Sequence, residues 1–345
     1  MRISKLTLIT LVAKVILITS PYDLFCKNNV VRIQIEEIIP ETRAVVCAFE
    51  SNLNNQNKPV KIIFYALPNG NTIEQTEGAA LDSTLLKERD SWRYNIQHIA
   101  AQWAFISLTD TANNYVMVYL ESKTRAWTSY AAKYENFWQS SVILIDSIRN
   151  YISNRLFNSS LCNDFKTILV SHSGGGRFVF SYIAGVRFIP KHVERIIFID
   201  SNYGYDSELH ANKILDWLKT PLGYGAVTGR YLGVLAYVDT TVLIDSKPIV
   251  SSKGGTGYRS YLMARDFIER GLSLQFGSDS LFKRWIGEGC EISIKENPTG
   301  KIYHTILVER NGLIHSILNR TQFENRGYVF WGERAYEHLI KNTKL

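Results

Sequence analysis

The chain has 345 residues, 46% of them hydrophobic and 21% charged, proportions that exclude a disordered or fibrous protein and suit one large α/β domain or two ordinary ones. Its formal net charge of +7 is scattered, with no run of Lys and Arg. No basic stripe with interleaved aromatics appears, so a nucleic-acid binder is not expected.

In chain order, Arg2 and Lys5 precede an apolar run, Leu6 to Ile18, that ends near Ser20-Pro21. A basic start, an apolar stretch and small polar residues predict a signal peptide over 1–20 and an exported protein, although Lys14 interrupts the run. The run is too short for a stable membrane span. Val30 to Ile39 alternates as a half-buried strand does, and Ala44 to Phe49 is a second apolar run. Val60 to Leu67 is near-continuously apolar and predicts a buried strand, stopped by the turn Pro68-Asn69-Gly70-Asn71. Tyr115 to Leu120 predicts a strand, Tyr134 to Leu156 a helix, and Lys166 to Val170 a short buried strand. A helix over Gly175 to Ile189 is followed by strands at Val193 to Ile199 and Tyr231 to Val238. Gly257 to Arg270 reads as a helix, Ile302 to Val308 as a late strand and Tyr328 to Lys341 as a closing helix. Buried strands alternating with amphipathic helices predict an α/β fold with a mainly parallel central sheet covered on both faces. No Pro-, Gly- or Ser-rich linker breaks it, so one catalytic domain is expected over 30–345, with 206–230 a cap or insertion.

The segment Val170-Ser171-His172-Ser173-Gly174-Gly175 joins a strand to a helix. It resembles the G-x-S-x-G nucleophile elbow of the α/β-hydrolase superfamily, with Ser171 in place of the first glycine. The elbow needs small residues two positions either side of the nucleophile because strand and helix nearly touch there. Ser171 and Gly175 meet that demand. The resemblance spans roughly residues 60–320. It implies a serine hydrolase with a catalytic triad, no metal and no organic cofactor, acting on a small-molecule or acyl substrate. Ser173 would be the nucleophile and the Gly174 N–H an oxyanion donor. The second donor would come from the loop after Val60 to Leu67, from Asn71 or Gly70, where many lipases carry His-Gly.

The family's order is serine, acid, histidine. His315, after the last predicted strand, is the expected general base. His304 falls inside that strand, His338 in the terminal helix, and His192 before a strand at the wrong end; His210 also competes. Asp200 and Asp239 each end a strand and both stay open as the acid. An esterase is the default expectation, with a peptidase or amidase, or a non-catalytic scaffold, as alternatives.

Several other residues have two readings. His98 is a pocket-rim candidate or a packed ring, and Lys253-Gly254-Gly255-Thr256-Gly257 an anion site or a helix entry. Tyr203, Tyr205, Trp217 and Tyr224 line a pocket or pack a cap. Cys26, Cys47, Cys162 and Cys290 lack metal-site spacing and leave disulfide pairing open. Asn158 and Asn319 fit the glycosylation sequon.

Overall fold

The computed structural model describes residues 13–15, 30–54, 57–78, 91–157, 165–220 and 229–341. In chain order the strands are β1 (Ala13–Val15), β2 (Val30–Glu36), β3 (Thr42–Phe49), β4 (Val60–Ala66), β5 (Asn114–Ser122), β6 (Phe165–His172), β7 (Val193–Ile199), β8 (Tyr231–Tyr237), β9 (Leu243–Ile244), β10 (Lys247–Pro248), β11 (Leu274–Ser278), β12 (Phe282–Gly287) and β13 (Cys290–Lys295). The helices are α1 (Glu50–Asn54), α2 (Ile73–Glu77), α3 (Ile99–Thr109), α4 (Trp127–Lys133), α5 (Phe137–Tyr151), α6 (Gly176–Gly185), α7 (Asn212–Lys219), α8 (Gly255–Glu269), α9 (Ile306–Glu309), α10 (Gly312–Leu318) and α11 (Glu337–Lys341).

Among the described residues eleven strands form one sheet in the order β1-β2-β3-β5-β4-β6-β7-β8-β13-β12-β11, with β9 and β10 a separate hairpin. The six central strands, β5 through β13, run parallel, and antiparallel strands extend the sheet at each edge. The alternation of side chains divides the core into two. Ile62, Phe64 and Ala66 face α4, α5, α6, α7 and α8, whereas Ile63, Tyr65 and Leu67 face α3, α9, α10 and α11. Burial on both faces explains why β4, β5, β7 and β8 read as continuous apolar runs.

The sheet's far half departs from expectation. The meander β11-β12-β13 was not predicted, and residues 302–305 form a loop that enters the short helix α9 instead of a strand. Polar Glu291, Ser293 and Lys295 alternate along β13 and disguise a strand that is buried throughout. The β-prone residues Leu307 and Val308 reach the core from a helical turn, so tertiary burial overrides local propensity. The closing helix is likewise short, confined to Glu337–Lys341.

The described part of the expected cap is a flank of the sheet. Ile214, Leu215, Trp217 and Leu218 of α7 are buried, and Trp217 Nε1 donates to the Val193 carbonyl at the start of β7, 2.9 Å away. Tyr224 lies outside the described residues, as do Cys26, Cys162, Asn158 and all of the expected signal segment but 13–15. Cys47 and Cys290 are buried free thiols. Asn319 is buried, its Nδ2 donating to Tyr231 Oη at 2.8 Å and to Glu291 at 2.5 Å, which leaves no room for a glycan. No described helix is long and apolar enough to cross a membrane.

Candidate active site

Strand β6 runs extended through His172 and then turns sharply. Ser173 has φ +53°, a left-handed conformation that L-residues rarely hold, and a single 3₁₀ turn over Ser173–Gly175 leads into α6. Each following glycine is pressed against a different part of the chain. A Cβ on Gly174 would stand 1.9 Å from Asn69 Oδ1, one on Gly175 2.1 Å from the Ala66 carbonyl, and one on Gly176 1.6 Å from the Ser201 carbonyl. Ser171, where a glycine was the family pattern, is tied to the neighbouring loop: its Oγ lies 2.8 Å from Ser201 Oγ, which donates to the Ser171 carbonyl at 3.1 Å.

Asp200 leaves the end of β7, next to β6. Its two carboxylate oxygens are both engaged, one by Thr256 Oγ1 and the other by His304 Nδ1. The His304 ring lies 4.7 Å from that of His172, tilted 34° to it, which brings it beside the residue that precedes Ser173. Burial pulls the His304 pKa down, but the hydrogen bond and charge of Asp200, with Asp239 behind it, raise it above the ordinary 6.5. His172 goes the other way. Burial, and then the charge of His304, hold it neutral with a pKa of about 3, and its Nδ1 donates to the Ile199 carbonyl at 2.9 Å.

Asp239 is engaged differently. Its Oδ2 accepts the Thr256 N–H at 2.9 Å, so it caps the start of α8, and Gly255 at φ +80° leaves space for it. Burial raises its pKa to about 6, against the Thr256 hydrogen bond. Residues 253–257 are thus a helix entry whose anion is the protein's own carboxylate.

The structure does not bring His315 to Ser173 or to either aspartate. Its Nε2 faces Glu291 Oε1 at 3.5 Å, and its ring stacks on Phe330 at 4.5 Å. Glu291 lies on β13, three strands from β6, paired with Gly233, whose neighbour in β7 is Ile197. It is therefore well short of the strand ends where Asp200 sits. The last strand is β13, not 302–308, so His315 falls within α10 and not just after that strand. The histidine that follows it is His304, which strand-like neighbours conceal.

Gly70 cannot serve as an oxyanion donor, since its N–H is given to the Arg125 carbonyl at 2.7 Å. Asn71 is buried, and its Oδ1 accepts from Arg93 Nη1 at 2.9 Å. The loop residue that meets the elbow is Asn69. A cleft of about 600 Å³ opens there, with Asn69, Ser173, Gly174, Ser201 and Tyr203 among the residues that line it. His98 lies elsewhere: it is buried 6.4 Å from the Tyr336 ring, and burial, with Arg334 nearby, lowers its pKa to about 4. Tyr205 is also buried and bonded to Asp266. Among the described residues no three His, Cys, Asp or Glu side chains converge to hold a metal.

The parallel sheet with a crossover between β5 and β4, and the strained serine turn after the central β6, define the α/β-hydrolase fold. No family model matches the sequence, and no curated protein matches it. Three solved structures are similar in shape. A glucuronoyl esterase of Solibacter usitatus is 13% identical, with 85% of this chain and 83% of that chain covered and a TM-score of 0.44. An IroE-like serine hydrolase of Shewanella oneidensis is 12% identical, with 84% and 78% covered and a TM-score of 0.40. A Bacteroides fragilis protein described as a putative acetyl xylan esterase is 11% identical, with 50% and 45% covered and a TM-score of 0.33, so this chain spans under half its length.

Proposed function

We propose that this chain is a serine hydrolase that cleaves carboxylic esters in a single catalytic domain, with Ser173 as nucleophile, His304 as general base and Asp200 as the acid that orients it. The observation that carries this reading is the Asp200–His304 pair, with the His304 ring against His172 at the foot of the Ser173 turn. Asp200 on Nδ1 fixes the tautomer and leaves Nε2 as the nitrogen that accepts a proton. In the reaction, Ser173 Oγ attacks the ester carbonyl while its proton passes to His304 Nε2. The tetrahedral oxyanion is held by the Gly174 N–H and the Asn69 end of its loop, near the positive end of α6. His304 then protonates the departing alcohol, and water releases the acyl group by the reverse sequence. Asp239 supports this arrangement by holding Thr256, which in turn bonds Asp200. Export, expected from Arg2, Lys5 and the apolar run that follows, belongs to the same reading.

A fluorophosphonate probe tests the proposal. Peptide mapping is expected to find one adduct, on Ser173, and none after Ser173→Ala. Failure to label the folded protein would point to a scaffold that only binds. Preference for anilides over the matched esters would point to an amidase.

A further inference from the structure

The cleft over the elbow carries one charged side chain among its described lining residues, Arg177, and no carboxylate. Arg177 is exposed and stands four positions after Ser173, on the first turn of α6. One 3₁₀ turn separates it from Ser173, and both residues line the same cleft. Asn69, Thr128 and Tyr203 supply polar groups around it, and Ala131 and Ala132 a small apolar wall. A lone guanidinium in a semi-enclosed cleft offers a two-pronged site for a carboxylate.

We infer that the substrate is an ester that also bears a free carboxylate, and that Arg177 binds this carboxylate while Ser173 attacks the ester. This rests on the proposed hydrolase reading and narrows its substrate class. Among the described lining residues an anion meets Arg177 and no acidic side chain to repel it. The start of α6 reinforces the same preference. The arrangement selects by charge, so its advantage weakens with added salt.

The test compares mono-4-nitrophenyl glutarate with its methyl ester, and 4-acetoxybenzoate with methyl 4-acetoxybenzoate, placing the carboxylate on the acyl or the alcohol side. In the wild type, kcat/KM for at least one anionic ester is expected to exceed that of its neutral twin by on the order of tenfold or more. Arg177→Gln should bring that ratio close to one, and Arg177→Lys should keep part of it. Ratios near one in the wild type, or a ratio untouched by Arg177→Gln, would overturn the inference. Equilibrium binding of glutarate and of benzoate to Ser173→Ala protein gives a second reading that needs no turnover. Binding of either that is lost in the Ser173→Ala, Arg177→Gln double variant supports the anion site even if no ester is cleaved. Absence of binding together with equal ratios removes it while leaving hydrolysis intact.

Discussion

Ser173 and Asp200 are each the first residue beyond the last rung of the β6–β7 ladder, His172 paired with Ile199, and both adopt positive φ, +53° and +46°. Two adjacent strands therefore end at one level and turn out of the sheet together. Ser173 and the Asp200 carboxylate share a common edge by construction, and His304 is the piece brought in from a distant loop.

Replacing Asp200 by Asn should lower kcat by about a thousandfold or more, because the imidazole loses the partner that fixes its tautomer. Asp239→Asn keeps an oxygen that can accept the Thr256 N–H and should cost no more than about tenfold. Steady-state rates on a 4-nitrophenyl ester separate the two; equal losses would assign both carboxylates to the chemistry.

His304→Ala should abolish turnover, whereas His315→Gln should leave kcat within about threefold and lower the melting temperature instead, since it disturbs a buried polar cluster worth on the order of 1–3 kcal/mol. The base must be neutral to act. Wild-type kcat/KM should then rise with pH along a limb whose midpoint lies above 6.5, the ordinary histidine value, given the raised His304 pKa. In Asp200→Asn any residual activity should show that limb at lower pH. The same pairing stabilises the fold fully below the unfolded histidine pKa, and that contribution fades as pH rises through the folded value. A limb below 6.5 in the wild type would count against the Asp200–His304 pairing.

Glu291 predicts an acid sensitivity remote from the elbow. Burial pushes its pKa up, but hydrogen bonds from His315, Ser293 and Tyr231 outweigh it and hold the carboxyl at about 2. A depressed pKa stabilises the folded state above the unfolded carboxyl value, and the stabilisation is lost as pH falls from about 4.5 toward 2. Denaturant titrations across this range should show stability falling in the wild type and a shallower fall in Glu291→Gln.

The glycine turn makes a steric prediction. In Gly176→Ala the new methyl meets the Ser201 carbonyl backbone, which cannot swing aside as a side chain can. A loss of about 3 kcal/mol or more is expected by chemical denaturation. In Gly174→Ala the obstacle is the Asn69 side chain, so this variant should fold and lose kcat as Asn69 is displaced.

The sequence makes the elbow legible because its physics admits few residues: the turn requires small side chains, and Ser171 and Gly175 stand out between a strand and a helix. The aspartates were legible as strand ends, but their division of labour was not. What separates them is Thr256, fifty-six residues beyond one and seventeen beyond the other, and no local pattern reports it. His304 was hidden by its neighbours. Ile302, Ile306 and Leu307 have the composition of a strand, while the true last strand alternates Glu291, Ser293 and Lys295 on a buried ladder. Those polar residues are tolerated because partners await them: Tyr231 and Asn319 for Glu291, and the rings of Phe282, Tyr303 and Trp331 around Lys295. Periodicity reads which residues avoid water and is blind to polar groups whose partners are remote in sequence.

Thr256 binds Asp239 through its amide and Asp200 through its hydroxyl, so the stretch from 240 to 255 leaves and re-enters the molecule at a single knot. The hairpin within it, with Leu243 and Ile244 out in solvent, is thereby insulated from the Asp200–His304 pair. Insertions or exchanges in that excursion can therefore be accommodated while the Asp200 carboxylate stays where it is.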